Sequence, residues 1–422
     1  MRKLTILLFI FIFHNSYSQW YQQVNPINKV IRHIDFVNAD KGWGHSTISQ
    51  QNDTSYIIHT TNGGTNWTVQ YFQKDIEFNC MDMVNDSLGY IFCADYNLIS
   101  SAMLKTTNGG VNWVETQLPF GLGFVDCQFL NQDTGFVCQF SPFGGLWKTT
   151  DGGNNWVSIR NGVPGDGIST MYFLNARNGW CGPAASIYYT TNGGASWNLS
   201  FNGSATSLYK IFFSDSLHGH AGFANMFYGR TTNGGANWNY TKLIPENSGT
   251  LTDIHFINNI TGWLIADGIY KSTTGGVSWG KQELIPPTFW NYGSDISVID
   301  SQRAWTNGIY FTTNGGGTFT NIRQISNITK DFVLYQNYPN PFNPNTTIRF
   351  SLKENSAFIL SIYDIGGKLI NKYNSNNIVS AGLYEIQFDG SNLSSGTYFY
   401  KLEVLNKANQ LQYSETKKML LV

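Results

Sequence analysis

Charge is scarce in this chain. Its 422 residues hold 26 Lys and Arg against 27 Asp and Glu, a net charge of −1. Such a balance offers no electrostatic attraction to nucleic acid or to an anionic membrane, so neither is expected as a partner. Heptads are missing, and beyond the N-terminus no apolar run is long enough to span a bilayer. Cysteine is limited to Cys80, Cys93, Cys127, Cys138 and Cys181. They form no CxxC and no His/Cys cluster with metal-ligand spacing, and no cofactor is expected. No Gly-rich phosphate loop, HExxH or Cys–His nucleophile pattern occurs.

Glycine and tryptophan are plentiful, with 43 and 13 residues. They suit many short strands joined by tight turns. Residues 1–18 read as a secretory signal. Arg2 and Lys3 give the positive start, 4–13 the apolar core, and Ser16 and Ser18 the small residues before cleavage. The apolar run is short for a membrane anchor. The mature chain is expected to begin at Gln19, to leave the cytoplasm and to keep no transmembrane segment.

One octapeptide, Thr60-Thr61-Asn62-Gly63-Gly64-Thr65-Asn66-Trp67, returns along the chain. Its copies end at Trp113, Trp156, Trp197, Trp238, Trp279 and Phe319, 40 to 46 residues apart. That period marks a β-propeller or another repeat array. A second repeat has an apolar residue, then Asn or Asp two positions on, then Gly six positions on. The copies are Phe36/Asn38/Gly42, Met83/Asn85/Gly89, Phe129/Asn131/Gly135, Phe173/Asn175/Gly179, Phe213/Asp215/Gly219, Phe256/Asn258/Gly262 and Val298/Asp300/Ala304. This pattern predicts a hairpin. Asn or Asp starts the turn through its own backbone, and Gly is expected to take a dihedral that a side chain resists.

Each unit then reads as four strands, A to D, with A ending at the apolar–Asn pair and B starting at Gly. C runs into Thr-Thr and D starts at the Trp. Seven such units predict an all-β fold, a seven-bladed propeller. Trp20 lies 16 residues before Phe36, as Trp67 does before Met83. It therefore begins an extra strand D able to close the ring and remove an exposed edge. Residues 319–322 compete for the same place, and the sequence leaves both open.

The octapeptide resembles the Asp-box of sialidase-type propellers. Paired with Gly-Trp hairpins, it looks like the propellers of the photosystem II assembly/stability-factor family. Asn62, Asn108, Asn192, Asn233 and Asn314 stand where that box has Asp; Asp151 keeps it and Thr274 has lost it. The resemblance covers about residues 20–323. It implies the fold, with the box as a structural turn between strands C and D.

The period stops after Ser326, so the propeller is assigned to 19–326. Residues 327–344 are Pro/Asn-rich and read as a linker. Residues 345–422 alternate as five to seven short strands, a small C-terminal β-sandwich. The tail is similar to the C-terminal sorting domain of the bacterial type IX (Por) secretion system. The matching pieces are Tyr338-Pro339-Asn340-Pro341-Phe342-Asn343-Pro344, Ile362-Tyr363-Asp364-Ile365-Gly366-Gly367-Lys368, Leu393-Ser394-Ser395-Gly396-Thr397-Tyr398 and the C-terminal Lys417-Lys418-Met419-Leu420-Leu421-Val422. The resemblance implies the type IX machinery as a partner and export across the outer membrane. Tail removal, and release or attachment at the cell surface, would follow.

Three residues before each hairpin's apolar position stand His33, Cys80, Asp126, Thr170, Lys210, Asp253 and Asp295. Strand alternation puts them on one face. Strand A is innermost, so they are expected to ring one mouth of the channel. His33, Asp126, Lys210, Asp253 and Asp295 are the candidate ligand-binding residues. Blades one to three carry the longer B–C connections, which share a face with the D–A loops. On that face Tyr96, Phe140 and Phe143 are candidate contact aromatics. Cys80/Cys93 and Cys127/Cys138 flank equivalent hairpins, each pair placed to face across the A–B ladder, at most one of them with disulfide geometry.

A sialidase-type active site needs an arginine triad. Before the tail the mature chain has only Arg32, Arg160, Arg177, Arg230, Arg303 and Arg323, and the family's Arg-Ile-Pro motif is missing. No catalytic residue is therefore assigned. The reading is a secreted or surface propeller that binds a protein or glycan. The alternative is an extracellular glycoside hydrolase or lyase drawing two carboxyls at the mouth from Asp35, Asp82, Asp126, Asp253 and Asp295.

Overall fold

The computed structural model describes residues 20–95, 100–140, 144–165, 167–203, 207–243, 249–282, 284–285, 295–316, 323–326, 331–374, 379, 381–390, 393–406 and 410–422. The chain divides into two compact units, Met1–Thr318 and Phe319–Val422.

Among the described residues the first unit holds seven sheets; six are antiparallel with strands in chain order from A to D, and the seventh adds Trp20–Gln22 and, parallel to it, Leu284–Ile285. In the first blade strands A to D are His33–Phe36, Gly42–His45, Thr54–Thr60 and Thr68–Lys74. The A strands of the next six blades are Ile76–Met83, Phe124–Phe129, Thr170–Phe173, Leu208–Phe213, Asp253–Phe256 and Ile296–Val298. Each A strand contacts the next, and the seventh contacts the first, so the sheets close into a ring. Strand D starts just past the box Trp rather than at it, as Thr68 follows Trp67.

Trp20–Gln22 closes the ring. It lies antiparallel on strand C of the seventh blade, with Tyr21 opposite Phe311. Residues 319–322 lie outside the described residues. Trp20 is fully buried, and its Nε1 donates to Gln282 Oε1 at 2.8 Å. The next turn of chain reaches the first blade. Gln23 Nε2 donates to the Gly63 carbonyl at 2.8 Å, and Trp67 Nε1 donates to Gln23 Oε1 at 3.0 Å. Burying one indole is worth about 2–3 kcal/mol.

All seven hairpins turn on the expected Asn or Asp. Asn38 Oδ1 accepts from the Asp40 and Lys41 amides, each at 2.9 Å, and Asp300 repeats this with Gln302 and Arg303. The role read for the hairpin glycine needs correction. Gly135 is not in the left-handed region. It is small because the Phe129 ring lies over it, and a Cβ there would come within 2.4 Å of that ring. In the seventh blade the smaller Val298 stands opposite, and Ala304 is accommodated. The covered rings also join blades: Phe129 stacks on Tyr90 of the preceding blade at 3.5 Å, and Trp156 meets it edge-on.

The repeated box is a turn held by one hydroxyl and one acceptor oxygen. Thr60 Oγ1 accepts from Gly64 N at 2.9 Å, and Asn62 Oδ1 accepts from Asn66 N at 2.9 Å. Gly63 and Gly64 take left-handed φ of 65° and 86°, which is why both are glycine. Asp151 plays the part of Asn62 in the third blade and the Thr274 hydroxyl does so in the sixth. Any side-chain acceptor of the right reach suffices.

The second unit is a sandwich of two four-stranded sheets. One runs Arg323–Ser326, Gly382–Asp389, Asn345–Leu352, Val333–Leu334; the other Leu369–Asn374, Ala357–Asp364, Gly396–Leu405, Leu411–Leu421. Their inner faces share one core, including Phe350, Phe358, Ile386, Tyr400 and Met419. Two boundaries move. Arg323–Ser326 pairs with Gly382–Asp389, so it belongs to the sandwich and not to a propeller ending at 326. The segment read as a linker, 327–344, is packed over its later part. Val333–Leu334 forms a sheet edge, Phe342 enters the core, and buried Asn337 donates to Thr346 Oγ1 at 2.9 Å. Proline suits such an edge because it has no amide to leave unpaired. No helix among the described residues is long and apolar enough to cross a membrane.

Candidate functional site: the channel mouth and the loop face above it

The structure brings His33, Asp126, Lys210, Asp253 and Asp295 into one ring, and it occupies most of their polar atoms. Asp295 Oδ2 accepts from the Ile34 amide at 3.1 Å, Asp253 Oδ2 from the Ile296 amide at 2.8 Å, and Asp126 Oδ2 from the Met171 amide at 3.4 Å. Thr170 Oγ1 donates to Asp126 Oδ2 at 3.1 Å and accepts from the Ile211 amide at 3.3 Å. In each case a side chain on one strand A holds the backbone of the next strand A. The remaining charges pair off. Lys210 Nζ lies 3.5 Å from Asp253 and 3.8 Å from Asp126, and His33 Nδ1 lies 3.0 Å from Asp295.

The charge states follow from this packing. Burial opposes the His33 imidazolium, but Asp295 outweighs it and the pKa is pushed up to about 9. Burial likewise opposes the Lys210 ammonium, which Asp126, Asp253 and Asp295 hold charged. Burial would raise Asp295, yet His33 keeps it well below the usual carboxylate range. For Asp253 burial wins over Lys210, and its pKa is pushed up to about 8.

A second ring lies two residues further along each strand A: Asp35, Asp82, Gln128, Tyr172, Phe212, His255 and Ser297. Period-two alternation places these side chains on the channel face; sequence reasoning named Asp35 and Asp82 as candidate acids but not the ring they belong to. Asp35, Gln128 and Ser297 hold the Met83, Phe173 and Phe36 amides at 2.7, 2.8 and 2.9 Å, and Asp82 holds that of Phe129. Burial lifts Asp35 to about 6; burial and the neighbouring Asp35 lift Asp82 to about 7. Opposite them Tyr172, Phe212 and His255 form a run of rings, 5.1 Å between successive centroids. Four residues of this layer are acidic or polar and three are aromatic rings.

Above the mouth, the B–C and D–A loops of blades three to five enclose an open groove of about 790 Å³. Val125, Phe140, Ser169, Pro183, Leu208 and Tyr209 contribute to its lining. Phe140, Val125 and Tyr209 are exposed by 48%, 41% and 45%. Val125 and Tyr209 owe that position to bulges in strands A of blades three and five, one between Phe124 and Asp126, the other between Leu208 and Lys210. An extra residue re-aims the chain just before the ring. Sequence reasoning found Phe140 and missed the two bulged residues, because a bulge leaves no periodic trace. Tyr96 and Phe143 lie outside the described residues. Among the described residues no cluster of three or more His, Cys, Asp or Glu could hold a metal ion.

The sandwich coincides with a match over residues 336–419. The tail is a secretion system C-terminal sorting domain. It marks the chain as a type IX cargo, delivered to the cell surface or beyond. The sorting domain accounts for the second unit; the propeller has relatives of its own. A structure of YCF48 bound to D1 peptide shares 17% identity, covering 70% of this chain and 94% of that one, with a TM-score of 0.53. YCF48 from Cyanidioschyzon merolae matches at 17% identity over 70% and 98%, also at 0.53. The GH74 xyloglucanase from Xanthomonas campestris shares 12% identity over 79% of this chain and 59% of its own, at 0.54. Identities this low show the propeller fold alone. No curated protein matches the sequence significantly.

Proposed function

We propose that this type IX cargo is a binding module that presents its loop face to an extracellular protein or glycan without transforming it. One observation carries the reading. The carboxylates of the mouth are committed to neighbouring backbone amides or to Lys210 and His33, while the groove above them stands open and apolar. Acids that fasten one blade to the next have few lone pairs left for substrate. Exposed Phe140 and Tyr209 offer flat surfaces for a sugar face or an apolar side chain, and Val125 adds apolar surface beside them. Known propellers of this fold support both ligand classes, since one is named for a bound peptide and another as a xyloglucanase.

The test is an array of glycans and peptides probed with the exported protein. Tyr209→Ala and Phe140→Ala should weaken the selected ligand at least about tenfold, whereas variants on the opposite face should not. A second reading, a glycoside hydrolase, draws on the raised pKa values of Asp82 and Asp253, which keep a proton near neutral pH as a general acid must. A hydrolysis screen on plant and microbial glycans separates the two. Turnover abolished by Asp253→Asn or Asp126→Asn would replace the first reading with the second.

A further inference from the structure

We infer that Cys80 and Cys127 form a disulfide joining the second and third blades once the chain has left the cytoplasm. The ring's own geometry leads there. In four blades a side chain of the ring holds the amide of a fixed residue on the next strand A: Asp126 holds Met171, Thr170 holds Ile211, Asp253 holds Ile296 and Asp295 holds Ile34. In the second blade that place belongs to Cys80, and the corresponding residue on the next strand is Cys127. Here the two A strands pack against each other and the two thiols lie near enough for each to perturb the other. They are 3% and 8% exposed and lie in one apolar cluster with Phe92, Phe124 and Phe129.

The pairs suggested by the sequence are not formed this way. Cys127 stands opposite Val137, while Cys138 stands opposite Asp126 and packs in a different cluster. Cys80 stands opposite Phe92, and Cys93 opposite Phe78 across a bulge, again in a different cluster. Both candidate pairs point to opposite faces of their sheets. The inter-blade pair was invisible because its partners are 47 residues apart in sequence and meet only when blades pack side by side.

The chemistry balances with a disulfide donor, such as an exported thiol oxidoreductase or a small-molecule disulfide. One cysteine thiolate attacks the donor's sulfur to give a mixed disulfide. The second displaces the donor's remaining thiol. The Sγ–Sγ bond forms, the donor's S–S bond breaks, and the donor takes up two electrons and the two thiol protons. Burial pushes both thiols above their ordinary range in the folded ring, so exchange belongs to the stage before the blades close.

The test is a thiol count on the full chain recovered after export, alkylated under denaturing conditions. With five cysteines in the sequence, one disulfide leaves three alkylated, and prior reduction exposes all five. Peptide mapping should join residue 80 to residue 127. Cys127→Ala should give four with or without reduction. A reductant should lower the wild-type melting temperature by roughly 5 °C and leave Cys80→Ser unmoved. The Ser variant keeps a hydroxyl able to hold the Cys127 amide as Thr170 holds Ile211, so it gives a folded reference. Five alkylated thiols in the exported wild type, or a bridge to Cys93, Cys138 or Cys181, would overturn the inference.

Discussion

Asp295 of the last blade holds His33 of the first at 3.0 Å, across the seam where the ring closes. The same carboxylate takes the Ile34 amide, so one side chain secures both the side chain and the backbone of its neighbour. The seam's strength should therefore depend on pH. His33 is raised to about 9 when folded, so its contribution is full below its unfolded value near 6.5 and is lost as pH climbs through 9. Asp295 is depressed, so its contribution is present above the ordinary carboxylate range and is lost on acidification. Asp35, Asp82 and Asp253 are raised to about 6, 7 and 8, so each makes folding less favourable as pH rises from the ordinary carboxylate range up to those values. Thermal melts should peak near pH 4 and decline steadily to pH 9. His33→Gln should flatten the upper part of that decline, and an unchanged slope would count against the seam pair.

Lys210 sits between the carboxylates of Asp126 and Asp253, at 3.8 and 3.5 Å. Lys210→Met should cost about 3 kcal/mol at pH 8, because it leaves Asp126 and Asp253 facing each other without a counter-charge. The loss should shrink at pH 5, where Asp253 already holds its proton in the wild type. Denaturant titrations of both proteins at the two pH values give the comparison. Equal losses at both would argue that the lysine acts through packing.

The glycine opposite Phe129 can be tested by exchange with the seventh blade. Gly135→Ala should cost about 1–3 kcal/mol, since its Cβ meets the ring. Adding Phe129→Val copies the Val298/Ala304 pair, and the double variant should be more stable than the sum of the single losses. A double-mutant cycle reads that coupling; strict additivity would mean the ring is not what excludes the methyl.

Trp20 anchors the strand that closes the propeller. Trp20→Ala should cost about 3–5 kcal/mol and leave Gln282 without its indole partner. Limited proteolysis should then cut first in the seventh blade. A Trp20→Ala ring as resistant as wild type would show that another segment can fill the place.

The repeats were legible because they rest on local chemistry. An Asn that caps its own turn, and a Thr-Thr-Asn-Gly-Gly that folds onto its own hydroxyl, carry their structural reasons within a few residues. The ring of His33, Asp126, Lys210, Asp253 and Asp295 was legible by alternation and register. What the ring does with its charges was not, since the amides it holds belong to other blades. Val125 and Tyr209 escaped because each stands at a bulge, one residue outside the pattern. The end of the propeller escaped because Arg323–Ser326 looks like any strand until Gly382–Asp389 is seen beside it.

A sheet built from residues 20–22, 284–285 and 296–312 makes the propeller a loop without ends. Open solenoids fray from their tips and mature one repeat at a time. Here there is no tip to fray. Every blade waits for the last one to be synthesised, and assembly is finished in a single act when the earliest strand is captured.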